Sequence, residues 1–104
     1  MYLAVFRNRK RPGYDAQAYA RDAAAMERFA RAQAGFISFK SYTADDGEVV
    51  ALSEWENREA ALAWGRHPDH SRVQSRGRQL YYSDYTLFAC DNPRITRFPG
   101  DTGP

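Results

Sequence analysis

The sequence has a single cysteine, Cys90, no long apolar run and no internal repeat. One thiol excludes an internal disulfide and a zinc site built from cysteines. Without an apolar stretch near ~20 residues there is no transmembrane helix, and no membrane partner is expected. An excess of charge is missing too: fifteen Lys and Arg face thirteen Asp and Glu, a formal net charge of +2. That balance implies no nucleic-acid partner, and the run Arg7, Arg9, Lys10, Arg11 reads as a solvated strand end. At the start the apolar residues precede the basic ones, the reverse of a secretion signal, so a cytoplasmic protein is expected. Aromatic side chains are plentiful, with fifteen in 104 residues. A domain of this size covers only ~60–70% of the surface of its unfolded chain. Some of these rings therefore call for burial elsewhere, against a second subunit or a ligand.

The pattern along the chain alternates between periods of two and three to four. Tyr2 to Arg9 reads as a strand with Leu3 and Val5 on one face and Tyr2, Ala4, Phe6 and Asn8 on the other. Asp15 to Gln33 is rich in helix formers, and Ala16, Tyr19, Ala23, Met26 and Ala30 form one apolar stripe. Asp15 suits the N-cap, and Gly35 the left-handed conformation that ends the helix. Phe36 to Tyr42 and Glu48 to Trp55 read as a hairpin turning at Asp45-Asp46-Gly47. Asn57 caps a short helix, Glu59 to Gly65, and Pro68 opens another piece carrying His70, Val73, Gln74 and Gly77 on one face. Tyr81 to Cys90 is the fourth strand, with Tyr85 and Leu87 on one face and Tyr82, Asp84 and Phe88 on the other. The order β-α-β-β-α-β predicts an α+β, ferredoxin-like fold: a four-stranded antiparallel sheet with helices on one face. Residues 1–91 form one domain, and 92–104 an extended or disordered tail. Strands apolar on both faces predict that the second face is covered by the same face of another copy, a two-fold homodimer.

The chain resembles the antibiotic-biosynthesis monooxygenase (ABM) family of dimeric α+β barrel proteins, from about Tyr2 to Cys90. The residues that carry the resemblance are Pro12-Gly13, Gly35-Phe36, Leu52 to Asn57, Ala60 to Trp64, His67-Pro68-Asp69-His70, Val73-Gln74, Gly77-Arg78 and Tyr82 to Tyr85. The resemblance implies a homodimer with a pocket between sheet and helices in each subunit. Some relatives oxidise phenols or quinols with dioxygen and no bound metal or flavin, and others bind and degrade haem. The haem degraders use an Asn, a Trp and an iron-ligating His; Asn8 and Trp64 match the first two. The third position is Gln74 here, and glutamine is not among the usual ligands of haem iron. His70 lies one turn earlier on the same face.

The leading expectation is thus a monooxygenase with no cofactor, acting on a small aromatic ligand. Such chemistry needs a base near neutral pKa, hydrogen-bond donors for an oxyanion and an apolar, water-poor cavity. His70 has the intrinsic pKa of such a base, and Asn8, Trp64 and His70 form the candidate catalytic set. Gln74 and Arg78 are candidate donors to substrate, and Phe6 and Tyr85 candidate stacking surfaces. Each has a plainer reading: His70 as a helix-surface histidine, His67 as a cap, Trp64 as core, Gln74 and Arg78 as a solvated pair. His67 and His70 lack a third nearby ligand, so no metal site is expected. Cys90 reads as a small buried hydrophobe. The alternatives are a haem-binding or haem-degrading enzyme, and a non-catalytic ligand-binding or structural dimer.

Overall fold

The computed structural model describes residues 1–100; the last part of the expected tail, 101–104, lies outside the described residues. The elements run β1 (Tyr2–Lys10), α1 (Ala16–Arg31), β2 (Phe36–Thr43), β3 (Val49–Trp55), α2 (Arg58–Gly65), α3 (Pro68–Arg76), a π-helical turn (Gly77–Tyr81) and β4 (Tyr82–Asp91). The four strands form one antiparallel sheet in the order β2-β3-β1-β4. This is the ferredoxin-like fold expected from the alternation of periods. After Asp91, residues 92–100 form no helix or strand.

Local signals set the element ends. The Asp15 carboxylate accepts from the Ala18 amide at 3.0 Å, and the Asn57 side chain accepts from Ala60 at 2.8 Å. His67 caps α3 in the same way, its Nδ1 accepting from the Asp69 amide at 3.2 Å, with Pro68 in the first turn. Each such bond satisfies an amide that the helix itself cannot. Gly47 closes the hairpin with φ +90°, and Gly35 enters β2 with φ +82°. The helix α1 stops earlier than the periodicity predicts, at Arg31 with Ala32 as its cap.

Opposite residues of an antiparallel pair point to the same side of the sheet. Tyr2 pairs with Trp55, Ala4 with Ser53 and Ala89, Phe6 with Ala51 and Leu87, and Asn8 with Val49 and Tyr85. Trp55 is 2% exposed and packs with Trp64 of α2 and Ala30 of α1, so this whole set faces the helices. The Trp55 ring lies 6.3 Å from Trp64, stacked, and 5.5 Å from Phe36, edge-on. Leu3, Val5, Val50, Leu52 and Phe88 lie on the opposite, open face.

Two details differ from the sequence pattern. In α1, Ala16 and Ala23 are exposed, and the helix instead turns Tyr19, Asp22, Met26 and Ala30 inward. A polar residue had no place in an apolar stripe. Yet Asp22 has a partner: the Tyr81 hydroxyl, on a side chain 2% exposed, donates to its carboxylate at 2.6 Å, and Arg76 donates to the same oxygen at 3.0 Å. This network ties α1 to α3 and to the π turn. Asp22→Ala leaves the Tyr81 hydroxyl buried without its acceptor, and is expected to destabilise the fold by about 1–3 kcal/mol in urea unfolding. Asp22→Asn, which keeps an acceptor there, should recover part of that loss.

The second difference is in β4, which begins at Tyr82 rather than Tyr81. Arg9 pairs with Asp84 but Lys10 with Tyr82, so Ser83 is an extra residue in a bulge. A bulge shifts the alternation by one. Tyr82 therefore joins Tyr85 on the helix-facing side, not Asp84 on the other. Cys90 sits on the open face and is exposed in the single chain, not buried.

Candidate active site

The helix-facing side of β1 and β4 is only partly roofed. Tyr85 is 41% exposed and Leu87 52% exposed on this side. This leaves an open trough along β1 and β4, floored by Phe6, Ala51, Tyr85 and Ala89. Its side chains fall into two clusters.

The first gathers around Trp64, which is buried in the core. One turn past the α2–α3 junction, the His70 ring lies 4.8 Å from the Trp64 ring, and His67 lies 5.5 Å from it on the same indole. His70 Nδ1 is 3.4 Å from the Gly65 carbonyl. An N–H at Nδ1 donates there and leaves Nε2 as the acceptor, since the two nitrogens divide donor and acceptor roles in the neutral ring. Burial lowers the His70 pKa below its ordinary value, the Gly65 carbonyl opposes that shift, and the neighbouring His67 adds to it. His70 is therefore a half-buried, neutral imidazole at neutral pH and not a solvated helix-surface residue.

The second cluster surrounds Asn8, 2% exposed and the one fully buried polar side chain among the described residues. Its Oδ1 accepts a hydrogen bond from Lys10 Nζ. The Lys10 ammonium lies 4.4 Å from the centroid of the Tyr19 ring and 5.4 Å from that of Tyr82. Tyr82 packs against Phe6 at 5.4 Å and Tyr85 at 5.8 Å, and Phe6 against Tyr85 at 5.1 Å. Burial raises the pKa of Tyr82 steeply and that of Tyr19 in the same direction, while it lowers that of Lys10. Gly77 ends α3 against this cluster: a Cβ built there would meet the Tyr82 ring at 2.5 Å, so only glycine lets the two approach.

The structure thus brings Trp64 together with His70, and Asn8 together with Phe6 and Tyr85 through Lys10 and Tyr82. It holds the two groups toward opposite ends of the trough. Trp64 stacks on Trp55, whose partner Tyr2 is six residues from Asn8, or roughly 20 Å along the strand. Half-buried Gln74 lies on α3 between His70 and Gly77. Arg78 does not pair with Gln74; its guanidinium donates to Ser75 Oγ at 3.3 Å. With Arg11, Tyr82, Ser83, Asp84 and Tyr85 it lines an open depression of about 320 Å³ at the Asn8 end. Arg11 holds the rim, donating to the carbonyls of Tyr82 at 2.9 Å and Arg78 at 2.6 Å. Asp84 is exposed, stands opposite Arg9 in the strand register and accepts from Ser83 Oγ at 3.3 Å, while the Arg9 guanidinium goes to Asp46.

Three residues of the second cluster were missed from the sequence: Lys10, Tyr19 and Tyr82. Lys10 looked like one more cation in a basic strand end, but it is half-buried. The signal was present, because alternation from Phe6 and Asn8 puts Lys10 on the same face. The bulge that turns Tyr82 inward leaves no such trace.

Among the described residues no three His, Cys, Asp or Glu side chains are grouped to hold a metal, and no helix is long and apolar enough to cross a membrane. A family model described as antibiotic biosynthesis monooxygenase matches residues 1–76. YqjZ of Bacillus subtilis (strain 168), described as an uncharacterized protein, is 29% identical over 84 residues, covering 81% of this chain and 74% of its own. Among solved structures, Rv0793 from Mycobacterium tuberculosis superimposes with a TM-score of 0.79 at 20% identity, covering 92% of this chain and 98% of its own. SnoaB from Streptomyces nogalater, a cofactor-independent oxygenase, does so with a TM-score of 0.75 at 18% identity, covering 95% and 97%.

Proposed function

The chain belongs to the antibiotic biosynthesis monooxygenase family, and from that premise we propose that it oxidises an aromatic phenol or quinol with dioxygen, using no bound cofactor, in the trough between sheet and helices. The observation that carries this reading is the neutral, half-buried His70 against the Trp64 ring. A phenol or enol becomes a good electron donor to dioxygen once its proton is removed. Nε2 of His70 can take that proton, while the buried Trp64 ring fixes the imidazole from the core side. In the oxidation of an anthrone-type substrate, the CH₂ carbon becomes a second carbonyl carbon. One oxygen atom enters as that carbonyl, and the other leaves as water with the two hydrogens. The neighbour SnoaB, itself a cofactor-independent oxygenase, supports this class of chemistry.

Haem is the alternative, and the residues support it less. Gln74 stands where the resemblance implies the iron ligand, the Asn8 amide is engaged with Lys10, and Trp64 is part of the core. An oxygen electrode tests the two readings together. Anthrone-type phenols should consume oxygen above the uncatalysed rate, and hemin added to the protein should keep the spectrum of free hemin. Absence of uptake, with a shifted Soret band, would reverse the assignment.

The site is proposed to work within a homodimer. Among the described residues only four apolar ones are fully buried, Ala30, Trp55, Trp64 and Tyr81. The open face offers Leu3, Val5, Val50, Leu52 and a 45% exposed Phe88. Ion pairs Arg7–Glu48 and Arg9–Asp46 stand at one end of it, the apolar centre with charged rim common in interfaces. Light scattering should give twice the chain mass of 11.9 kDa. A mass of one chain at micromolar concentration would remove the dimer from the account.

A further inference from the structure

We propose that Lys10, caged by Asn8, Tyr19 and Tyr82, is an anion site that holds an aromatic ligand as its phenolate; the inference rests on the phenol reading above but concerns a different end of the trough from His70. Thirteen of the fifteen basic residues are arginine; the two lysines are Lys10 and Lys40. Lys40 is exposed on the open face, while Lys10 is half-buried among rings. An ammonium is a compact point charge, suited to one anionic oxygen where a guanidinium would present a wide fork.

The surroundings leave that charge without an anion. The titratable groups that face it are phenols, Tyr19 from α1 and Tyr82 from β4, with Tyr85 beyond Tyr82. Burial keeps the Tyr19 and Tyr82 phenols protonated at neutral pH, so neither serves as counter-ion. Asp22 is taken by Tyr81 and Arg76; Asp84 lies opposite Arg9 in the strand register, lines the depression described above and accepts from Ser83 Oγ, with no ion pair to Lys10. Among the described residues Lys10 has no ion pair. Its one polar partner is the neutral Asn8 amide, which fixes one N–H and leaves two. A half-buried cation held this way is stabilised by an anion arriving from outside. Tyr82 is shared with the depression of about 320 Å³ that it lines together with Arg11, Arg78, Ser83, Asp84 and Tyr85, a volume near the lower end of small-molecule sites, which run about 300–1,000 Å³. A phenol stacked against Tyr82 would bring its oxygen toward Lys10 Nζ, 5.4 Å from that ring's centroid. On binding, the phenol O–H bond breaks and the proton leaves to solvent.

Para-nitrophenol reports this directly, because its phenolate absorbs in the visible and its neutral form does not. Titrated into the protein below the probe's own pKa, it should bind and ionise, its acid dissociation favoured roughly tenfold, about one pKa unit. Lys10→Met should bind it without that gain, and Lys40→Met should match the unmodified protein. With isotope-labelled lysine and Lys40→Met to assign the two signals, the Lys10 side-chain resonance should shift on adding the probe, a readout that does not depend on the Lys10 variant folding. A bound probe that stays neutral, ionisation unchanged in Lys10→Met, absence of binding, or a stationary Lys10 resonance would each overturn the proposal. Since no oxidation is involved, a probe that ionises on a protein that consumes no oxygen leaves this site standing while the monooxygenase reading falls.

Discussion

Replacing His70 with Gln is expected to slow oxidation of a phenolic substrate by about 10²–10⁴-fold, the usual contribution of a positioned base. Gln retains hydrogen-bonding capacity and similar bulk beside Trp64, so substrate binding should change much less than turnover. The distinguishing readout is the pH profile. Burial holds the His70 pKa below its ordinary 6.5. In the native protein the rate should rise with pH through that lowered value and be flat above 6.5; in His70→Gln this limb should vanish. The same shift acts on stability. As pH falls below 6.5 the unfolded chain takes up the proton before the folded one does, which favours unfolding. Stability should therefore decline from pH 6.5 down to the lowered native pKa and level off beyond it, and this component should be missing in the variant. A variant that keeps both its turnover and the acid limb would assign the proton to another group.

Gly35→Ala is expected to destabilise the fold by about 2–5 kcal/mol, two costs added together: a left-handed non-glycine residue at ~1–2 kcal/mol and overpacking at ~1–3 kcal/mol. Gly35 has φ +82°, and a Cβ there would lie 2.5 Å from the Ala60 Cβ of α2. Neither atom can yield without moving backbone, because the Gly35 carbonyl also accepts from the Glu56 amide at 2.8 Å, just before α2. That contact sets how closely α2, and with it Trp64, lies on the sheet. Gly47 supplies the control. Its φ is +90°, but nothing lies within 4 Å of a Cβ built there, so Gly47→Ala should cost only the conformational part, about 1–2 kcal/mol. Denaturation midpoints compare the two directly. Equal losses would show that the close approach of Gly35 to Ala60 contributes nothing.

What the sequence made legible follows from which interactions are local. Caps, the hairpin glycine and the alternation of β1 depend on neighbouring residues, so Asp15, Asn57, Gly47 and the shared face of Phe6 and Asn8 could be read directly. Asp22 could not, because its value lies in Tyr81 and Arg76, more than fifty residues away. Tyr82 could not either: a bulge of one residue reverses the face of everything before it, and Ser83 carries no mark of it. Lys10 was misjudged for a related reason. A basic run suggests solvent, yet the sheet alternation that made Asn8 a candidate carries one step further and buries Lys10 among rings that come from α1 and β4. Trp64 and His70 stood in one candidate set, but their ring contact crosses from α2 to α3 and no spacing shows it. That Asn8 belongs to a second cluster was not visible either, because strand position alone does not say which part of the trough a helix residue overlooks.

The most direct test of cofactor-free monooxygenation is the mass of the product formed under oxygen-isotope-labelled dioxygen by protein stripped of metal, flavin and haem. Oxidation of an anthrone-type phenol should give a quinone carrying one labelled oxygen atom, at a rate well above buffer. A product without label, or formation only after a metal, flavin or haem is restored, would contradict it.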